Sequence, residues 1–515
     1  MSIESDQKAK DYLAISSQYK LGTLITESSH PDTRDLSNLA NNDLHKAISI
    51  LKSLDCNTLS ILAGKVSEIC YLKDAVNDTL RSGNNIFFCG CGATGRLSLT
   101  IETLWRQVHC NEEIKDRVFS FMSGGDVALI RSIENFEDFP QYGARQLEEA
   151  GFKDGDLLIA TTEGGETPFV IGATEKAAQI SYRKPFFLYC NPDDELCRIA
   201  ERSKLVIENP NIEKINLTVG PMAITGSTRM QSSTILLAAA GIALFFYNDK
   251  NEAVIESINA LEAFWDNTDI SFIEKFITTE ANYYKNNEYL LYESDNQLGI
   301  TIITDTTERS PTFSLFPFEN VNELKPQMSL CYLYMPSANN SEEAWRKLLW
   351  RNPRTLEWPD ISGIASEKRL VGFDFSRNVL SRRKNGNPST QHCFRIIYEN
   401  NGISFSLGGE NHFIDVPFKN PLFIHLLLKM ILNIHSTLIM GRLGRYEGNI
   451  MTYVRASNNK LIDRSVRYID LIIREREINL SYDELVHILF EMLEKTPTDQ
   501  AIVLTTVAEI KKRYS

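Results

Sequence analysis

From Asp43 to Arg81 apolar residues recur at helical spacing, and Ser82-Gly83-Asn84-Asn85 ends the pattern. The apolar run Ile86 to Cys89 then reads as a strand, which enters Gly90-Cys91-Gly92-Ala93-Thr94-Gly95-Arg96 before helical spacing resumes from Leu97 to Val108. Strand-like runs follow at 118–122, 157–160 and 185–189. They meet Ser123-Gly124-Gly125-Asp126, the Gly/Thr-rich stretch Thr161 to Pro168, and Cys190-Asn191-Pro192-Asp193-Asp194. A helix is predicted from Pro168 to Ile180. Strands alternating with helices of this length predict a doubly wound parallel sheet, whose ligands sit beyond the strand C-termini.

Past an apolar helix at 235–246 the pattern restarts. Helical spacing over 253–287 leads to a strand at 289–292, with further strand-like runs at 329–334, 394–398 and 403–407; residues from about 440 onward read as mainly helical. Laid over each other at their first strands, the two halves place Gly90 to Gly95 on Ser294-Asp295-Asn296-Gln297-Leu298-Gly299, where only the last glycine persists. This reads as a diverged internal duplication with a working Gly-rich turn in the first half. The predicted divisions are an N-terminal arm (1–40), a first α/β domain (41–250), a second (251–436) and a helical C-terminal lid (437–515).

Composition narrows the function classes. The 515 residues carry 54 Lys+Arg against 67 Asp+Glu, a net charge of −13, which argues against a general nucleic-acid binder. The one dense basic cluster, Arg382-Arg383-Lys384, precedes Asn385-Gly386-Asn387-Pro388 and reads as a solvated loop. The longest apolar run is too short for a membrane span, and the polar start Met1-Ser2-Ile3-Glu4-Ser5-Asp6 does not suit a signal peptide. Nine cysteines without a disulfide-framework spacing predict a reduced, cytoplasmic chain. Cys89 and Cys91 read as small residues at a tight strand end, and no metal or cofactor is expected.

Gly90, Gly92 and Gly95 satisfy G-x-G-x-x-G between a strand and a helix. A dinucleotide site would need an acidic residue about 20 positions on; the nearest candidate, Asp126, lies beyond another glycine pair. A turn with no ligand is a second alternative. The favoured reading is a small phosphate held by backbone N–H groups and hydroxyls at helix N-termini, with Thr94, Thr167 and the segment Gly226-Ser227-Thr228-Arg229-Met230 all falling on one sheet edge.

The Gly90 to Arg96 turn, Gly220-Pro221 followed by Thr225 to Met230, Gly448-Asn449 through Asn458-Asn459-Lys460-Leu461, and the leader Thr26 to Leu36 resemble successive signatures of one family. These are the sugar isomerase (SIS) domain proteins comprising bacterial N-acetylmuramic acid 6-phosphate etherase and vertebrate glucokinase regulatory protein. The resemblance implies two tandem SIS domains of flavodoxin-like fold with a helical lid, as in the regulatory protein. It implies that Gly92, Thr94, Gly95, Thr167, Ser227 and Thr228 surround a sugar phosphate and that Lys460 lies near it. Gly164 falls where many relatives have serine, so that donor is missing or replaced by Thr162.

The etherase removes lactate by elimination, with a base on the sugar C2 proton and an acid on the leaving oxygen. Glu137 falls at the base position, whereas Leu104 occupies the acid position of the first half; Glu308 occupies its counterpart in the second half. We therefore expect one composite site, with Glu137 and Glu308 contributed by different domains. Length, duplication and Leu104 favour a sensor of a phosphosugar such as fructose 6-phosphate, with a sugar-kinase partner by family analogy. The alternative is an N-acetylmuramic acid 6-phosphate etherase using Glu137 as base and Glu308 as acid.

Overall fold

The structure is a computed structural model, which describes every residue except 1, 134, 135, 325, 362, 387, 388, 455, 457, 475, 476, 498, 499 and 515. Glu134 and Asn135 of the segment before Glu137, and Asn387-Pro388 after the basic cluster, therefore lie outside the described residues.

Five apolar strands form the first sheet: β1 (Ile86–Gly90), β2 (Val118–Met122), β3 (Leu157–Thr161), β4 (Phe186–Tyr189) and β5 (Glu213–Asn216), in the order β2-β1-β3-β4-β5 and parallel throughout. β1 and β3 are buried along their whole length, as continuous apolar runs between two helix layers require. The doubly wound sheet expected of the first half is thus present, with β5 added at its edge. The helical stretch 43–81 is two helices, Leu44–Ala63 and Val66–Arg81, broken at Gly64-Lys65.

The second sheet uses β6 (Tyr289–Ser294), β7 (Cys331–Tyr334), β8 (Gln391–Glu399), β9 (Gly402–Leu407) and β10 (Glu410–Asp415), in the order β10-β9-β8-β6-β7. It departs from the parallel expectation. β6 pairs parallel with β7 and β8, but β8, β9 and β10 run as an antiparallel meander. Tight turns at Asn400-Asn401 and Gly408-Gly409, all with positive φ, leave no length for a crossover helix.

Equivalent helices of the two units meet between the sheets. Helix Ala93–Val108, which follows β1, packs on Gly299–Phe313, which follows β6; helix Gln231–Phe245 packs on Pro421–Arg442. Pro421–Arg442 is apolar and long enough to cross a membrane, but its apolar window lies wholly inside the fold. It also runs through residue 436, so the boundary drawn there falls inside a helix. The last segment holds helices Asn459–Arg474, Tyr482–Lys495 and Ile502–Tyr514 after a small hairpin.

The basic cluster is corrected by the structure. Residues 378–386 are helical, and Arg383, 1% exposed, forms an ion pair with Glu319 at 2.7 Å. A buried carboxylate, rather than water, satisfies it.

Asp305 anchors the seam between units. Its carboxylate accepts from Arg229 at 3.2 Å, Arg309 at 2.9 Å, Asn433 at 3.1 Å and Ser436 at 2.8 Å. Arg309 also reaches Glu280 at 2.8 Å. Removing one member of a buried charge network strands the others, at a cost of about 3–5 kcal/mol. Asp305→Ala should therefore lower the urea midpoint by that much stability; a loss below about 1 kcal/mol would contradict the seam role.

Candidate functional site

A cavity of about 540 Å³ opens beyond the C-terminal end of β1 and β3. Its wall draws on Thr26 and Glu27 from the arm, the turns after β1, β2 and β3, Glu137, residues 226–229, Glu308 with 310–312, and Met451, Asn458, Lys460 and Arg464 from the C-terminal segment. The packing of Ala93–Val108 on Gly299–Phe313 brings Glu308 into a first-unit cavity. Across the same contact Arg96 Nε donates to Thr307 Oγ1 at 3.3 Å.

Of the residues read from the sequence, Gly92, Gly164, Thr167, Ser227, Thr228, Lys460, Glu137 and Glu308 line this cavity together. Thr94, Gly95 and Thr162 do not. The Thr94 hydroxyl accepts from Cys91 N and donates to Cys91 O, both at 2.9 Å, so it holds the turn in shape. Gly95 lies behind the turn, where an added Cβ would come within 2.6 Å of Met122 Cβ. Thr162 Oγ1 accepts from Gly165 N at 3.2 Å and bonds Thr167 Oγ1 at 3.1 Å.

The C-terminal helix Asn459–Arg474 closes over the turn at Gly226. Here φ is +73°, and a Cβ would lie 2.5 Å from Tyr468 Oη and 2.8 Å from Arg464 Nε. Only glycine supplies that conformation and that clearance together. From this helix Lys460 Nζ contacts Glu166 Oε1 at 2.5 Å, and Arg464 contacts Glu27 at 2.5 Å. Burial alone would raise both carboxyls. Lys460 and Arg202 outweigh it at Glu166, as Arg464 and Arg467 do at Glu27, holding each at about 2.

The two glutamates read as base and acid have different surroundings. Glu137 accepts from Asn458 Nδ2 at 3.0 Å and from Cys91 Sγ at 3.4 Å. Burial raises its pKa, opposed by Lys460. Both donors favour its ionised form. Glu308, 5% exposed, is raised by burial and opposed by Arg96, Arg229 and Lys429.

A third carboxyl escaped the sequence reading. Glu163 lines the cavity, and among the described residues its buried Oε1 has no hydrogen-bond partner. Burial, reinforced by the like charge of Glu308, pushes it up to about 8. Glu163 lay within a turn read only for its hydroxyls. Arg464 was also missed, although it stands four residues after Lys460 on one helix face, a spacing that pairs side chains.

The counterpart turn of the second unit is already filled. Asp295 Oδ1 accepts from Gln297 N and Leu298 N, both at 2.8 Å, and Oδ2 accepts from Tyr398 N at 2.8 Å. A carboxylate of the chain takes the amides that an anion would take. Among the described residues no group of three His, Cys, Asp or Glu side chains is placed to hold a metal ion.

The profile of the glucokinase regulatory protein N-terminal SIS domain matches residues 68–178. The chain is 32% identical over 224 residues to an N-acetylmuramic acid 6-phosphate etherase of Synechococcus sp. (strain CC9902), covering 43% of this chain and 65% of that protein. It is 30% identical over 221 residues to the protein of the same name from Rippkaea orientalis, covering 67% of that relative. The chain belongs to this SIS-domain family. It thus spans about two thirds of the length of these SIS-domain relatives. Among solved structures, the C-terminal domain of glucosamine-fructose-6-phosphate aminotransferase from Francisella tularensis is similar over 75% of this chain and 96% of that one, at 11% identity and TM-score 0.37.

Proposed function

We propose that the cavity binds a phosphosugar and that the chain is a carbon–oxygen lyase of the etherase type, releasing D-lactate from N-acetylmuramic acid 6-phosphate. The observation that carries this reading is the placement of Glu137 and Glu308 in the wall of one cavity, both buried, with hydrogen-bond donors on the first. Burial raises both carboxyls, and at Glu137 the hydrogen bonds from Asn458 and Cys91 favour the charged form that a base in an elimination needs. Glu137 takes the C2 proton, the electron pair left behind forms a C2=C3 double bond as the C3–O bond to the lactyl group breaks, and Glu308 gives its proton to the departing oxygen. Ser227, Thr228 and Thr167 offer hydroxyls to the phosphate, and Lys460 offers charge. The etherase names of the relatives support this reading ahead of the sensor that length and Leu104 favoured.

The sensor remains as a second reading because the matching domain profile is that of the glucokinase regulatory protein. One assay separates them. Purified protein incubated with N-acetylmuramic acid 6-phosphate should release D-lactate. A thermal shift with fructose 6-phosphate but no lactate would replace the lyase by the sensor.

Either reading gives Lys460 the same task. A charge-assisted hydrogen bond contributes about 1.5–3 kcal/mol, so Lys460→Ala should weaken phosphosugar binding by about 10- to 100-fold in a thermal-shift titration. Unchanged affinity would remove Lys460 from the phosphate subsite.

A further inference from the structure

The second unit reaches back into the first through residues 351–361. Arg351 pairs with both oxygens of Asp126 at 2.6 and 3.0 Å and with Glu102 at 3.1 Å. Arg354 reaches Glu102 at 2.7 Å through its side chain. The Arg354 backbone exchanges two hydrogen bonds with Asp126: Arg354 N donates to Oδ2 at 2.6 Å, and Asp126 N donates to Arg354 O at 3.0 Å. Gly125 admits this backbone. Its φ is +68°, and a Cβ would stand 3.2 Å from Arg354 O and 3.3 Å from Leu356 Cγ. The turn Ser123 to Asp126 is therefore a docking point for the second unit.

Beyond this anchor, Leu356, Trp358 and Ile361 enter the first unit's apolar cluster alongside Phe136 and Phe169. Trp358 is 4% exposed. Its indole stacks on Phe136 with centroids 5.6 Å apart and planes at 22°, and lies 5.5 Å from the Tyr142 ring. Its Nε1 donates to Glu149 Oε2 at 2.6 Å, and the Arg145 guanidinium sits 3.9 Å from its ring centroid. Phe136 is the residue immediately before Glu137. The 3-10 turn Phe136–Asp138 is too short to fix Glu137 by itself, so its direction depends on what packs against it.

We propose that the strap 351–361 positions Glu137, with Trp358 as the positioning residue acting through Phe136. Glu137 is then held from three sides: by Cys91 of the Gly-rich turn, by Asn458 of the C-terminal segment, and by the second unit through the ring pair. The role of the strap in turnover rests on Glu137 acting as the base; its hold on residues 136–149 does not. A side chain set through its neighbours delivers a carboxyl to a reacting proton, and small misplacements are costly in rate.

The test combines amide exchange with steady-state kinetics on the full chain. In Trp358→Ala, exchange over 136–149 should rise at least tenfold while 157–161 is unchanged. For lactate release kcat should fall at least tenfold with KM within twofold, and Trp358→Phe, which keeps the stack, should restore both. Arg354→Ala, which loosens the anchor without opening the apolar cluster, should shift the same two readouts in the same direction. Unchanged exchange over 136–149, a uniform rise along the whole chain, or a raised local exchange with unaltered kcat would each overturn the positioning role. If the wild type releases no lactate, the lyase reading falls, and the exchange pattern still decides whether the strap holds the segment.

Discussion

Glu137→Gln is expected to lower kcat/KM for D-lactate release by about 10²- to 10⁴-fold, the usual contribution of a positioned general base. Glutamine keeps the side-chain volume. Its oxygen can still accept from Asn458 Nδ2, which holds the native carboxylate at 3.0 Å. What it loses is the capacity to take a proton. The fold and the phosphate subsite should survive, so fructose 6-phosphate should give the same thermal shift in variant and wild type. Retention of activity within threefold would move the base elsewhere, with Glu163 the next carboxyl in the wall. Loss of both activity and ligand shift would mean that Glu137 acts in binding.

The second large effect concerns Glu163 and is read in stability. Among the described residues its buried Oε1 has no partner, and the groups that act on it are Glu308, Lys460 and Lys429, with Arg96, Cys91 and Cys190 also within its field. A carboxyl raised from 4.5 to about 8 in the fold binds its proton more tightly there than in the unfolded chain. The stability it contributes is fully present below pH 4.5 and is lost as pH rises through about 8. At 1.36 kcal/mol per pH unit the loss over that window is on the order of 5 kcal/mol at most. Glu163→Gln cannot ionise and escapes it. Urea unfolding from pH 5 to 9 should find the two proteins similar at the acid end, with the variant several kcal/mol more stable at the alkaline end. Parallel stability curves would show that Glu163 is ionised throughout.

The first sheet was legible because its central strands are buried on both faces and so read as unbroken apolar runs between glycine turns. Two of the edge strands were not. β5 is Glu213-Lys214-Ile215-Asn216, and β10 carries Glu410, Asn411, His412 and Asp415; each presents polar side chains to solvent, as an edge must. The antiparallel meander of β8 to β10 was hidden for the same reason. At the site, glycines and hydroxyls announced themselves by type, and eight of the eleven residues read from the sequence line one cavity. Thr94, Gly95 and Thr162 carry the same residue types but spend them on the turns themselves. The strap left no local trace. Arg351 and Arg354 look like ordinary surface charges until folding brings Glu102 and Asp126, more than 200 positions earlier, beside them.

The ion pair between Glu27 and Arg464 has a consequence for the order in which the molecule can be completed. The two residues lie 437 positions apart. Chains fold as they are synthesised, amino end first. The first α/β unit can assemble while the ribosome is still making the second, but Glu27 then waits without its cations. The cavity gains Lys460 and Arg464 only after both α/β units have been translated. A nascent or prematurely terminated product would own a folded sheet and no working pocket, so competence for ligand arrives late and all at once.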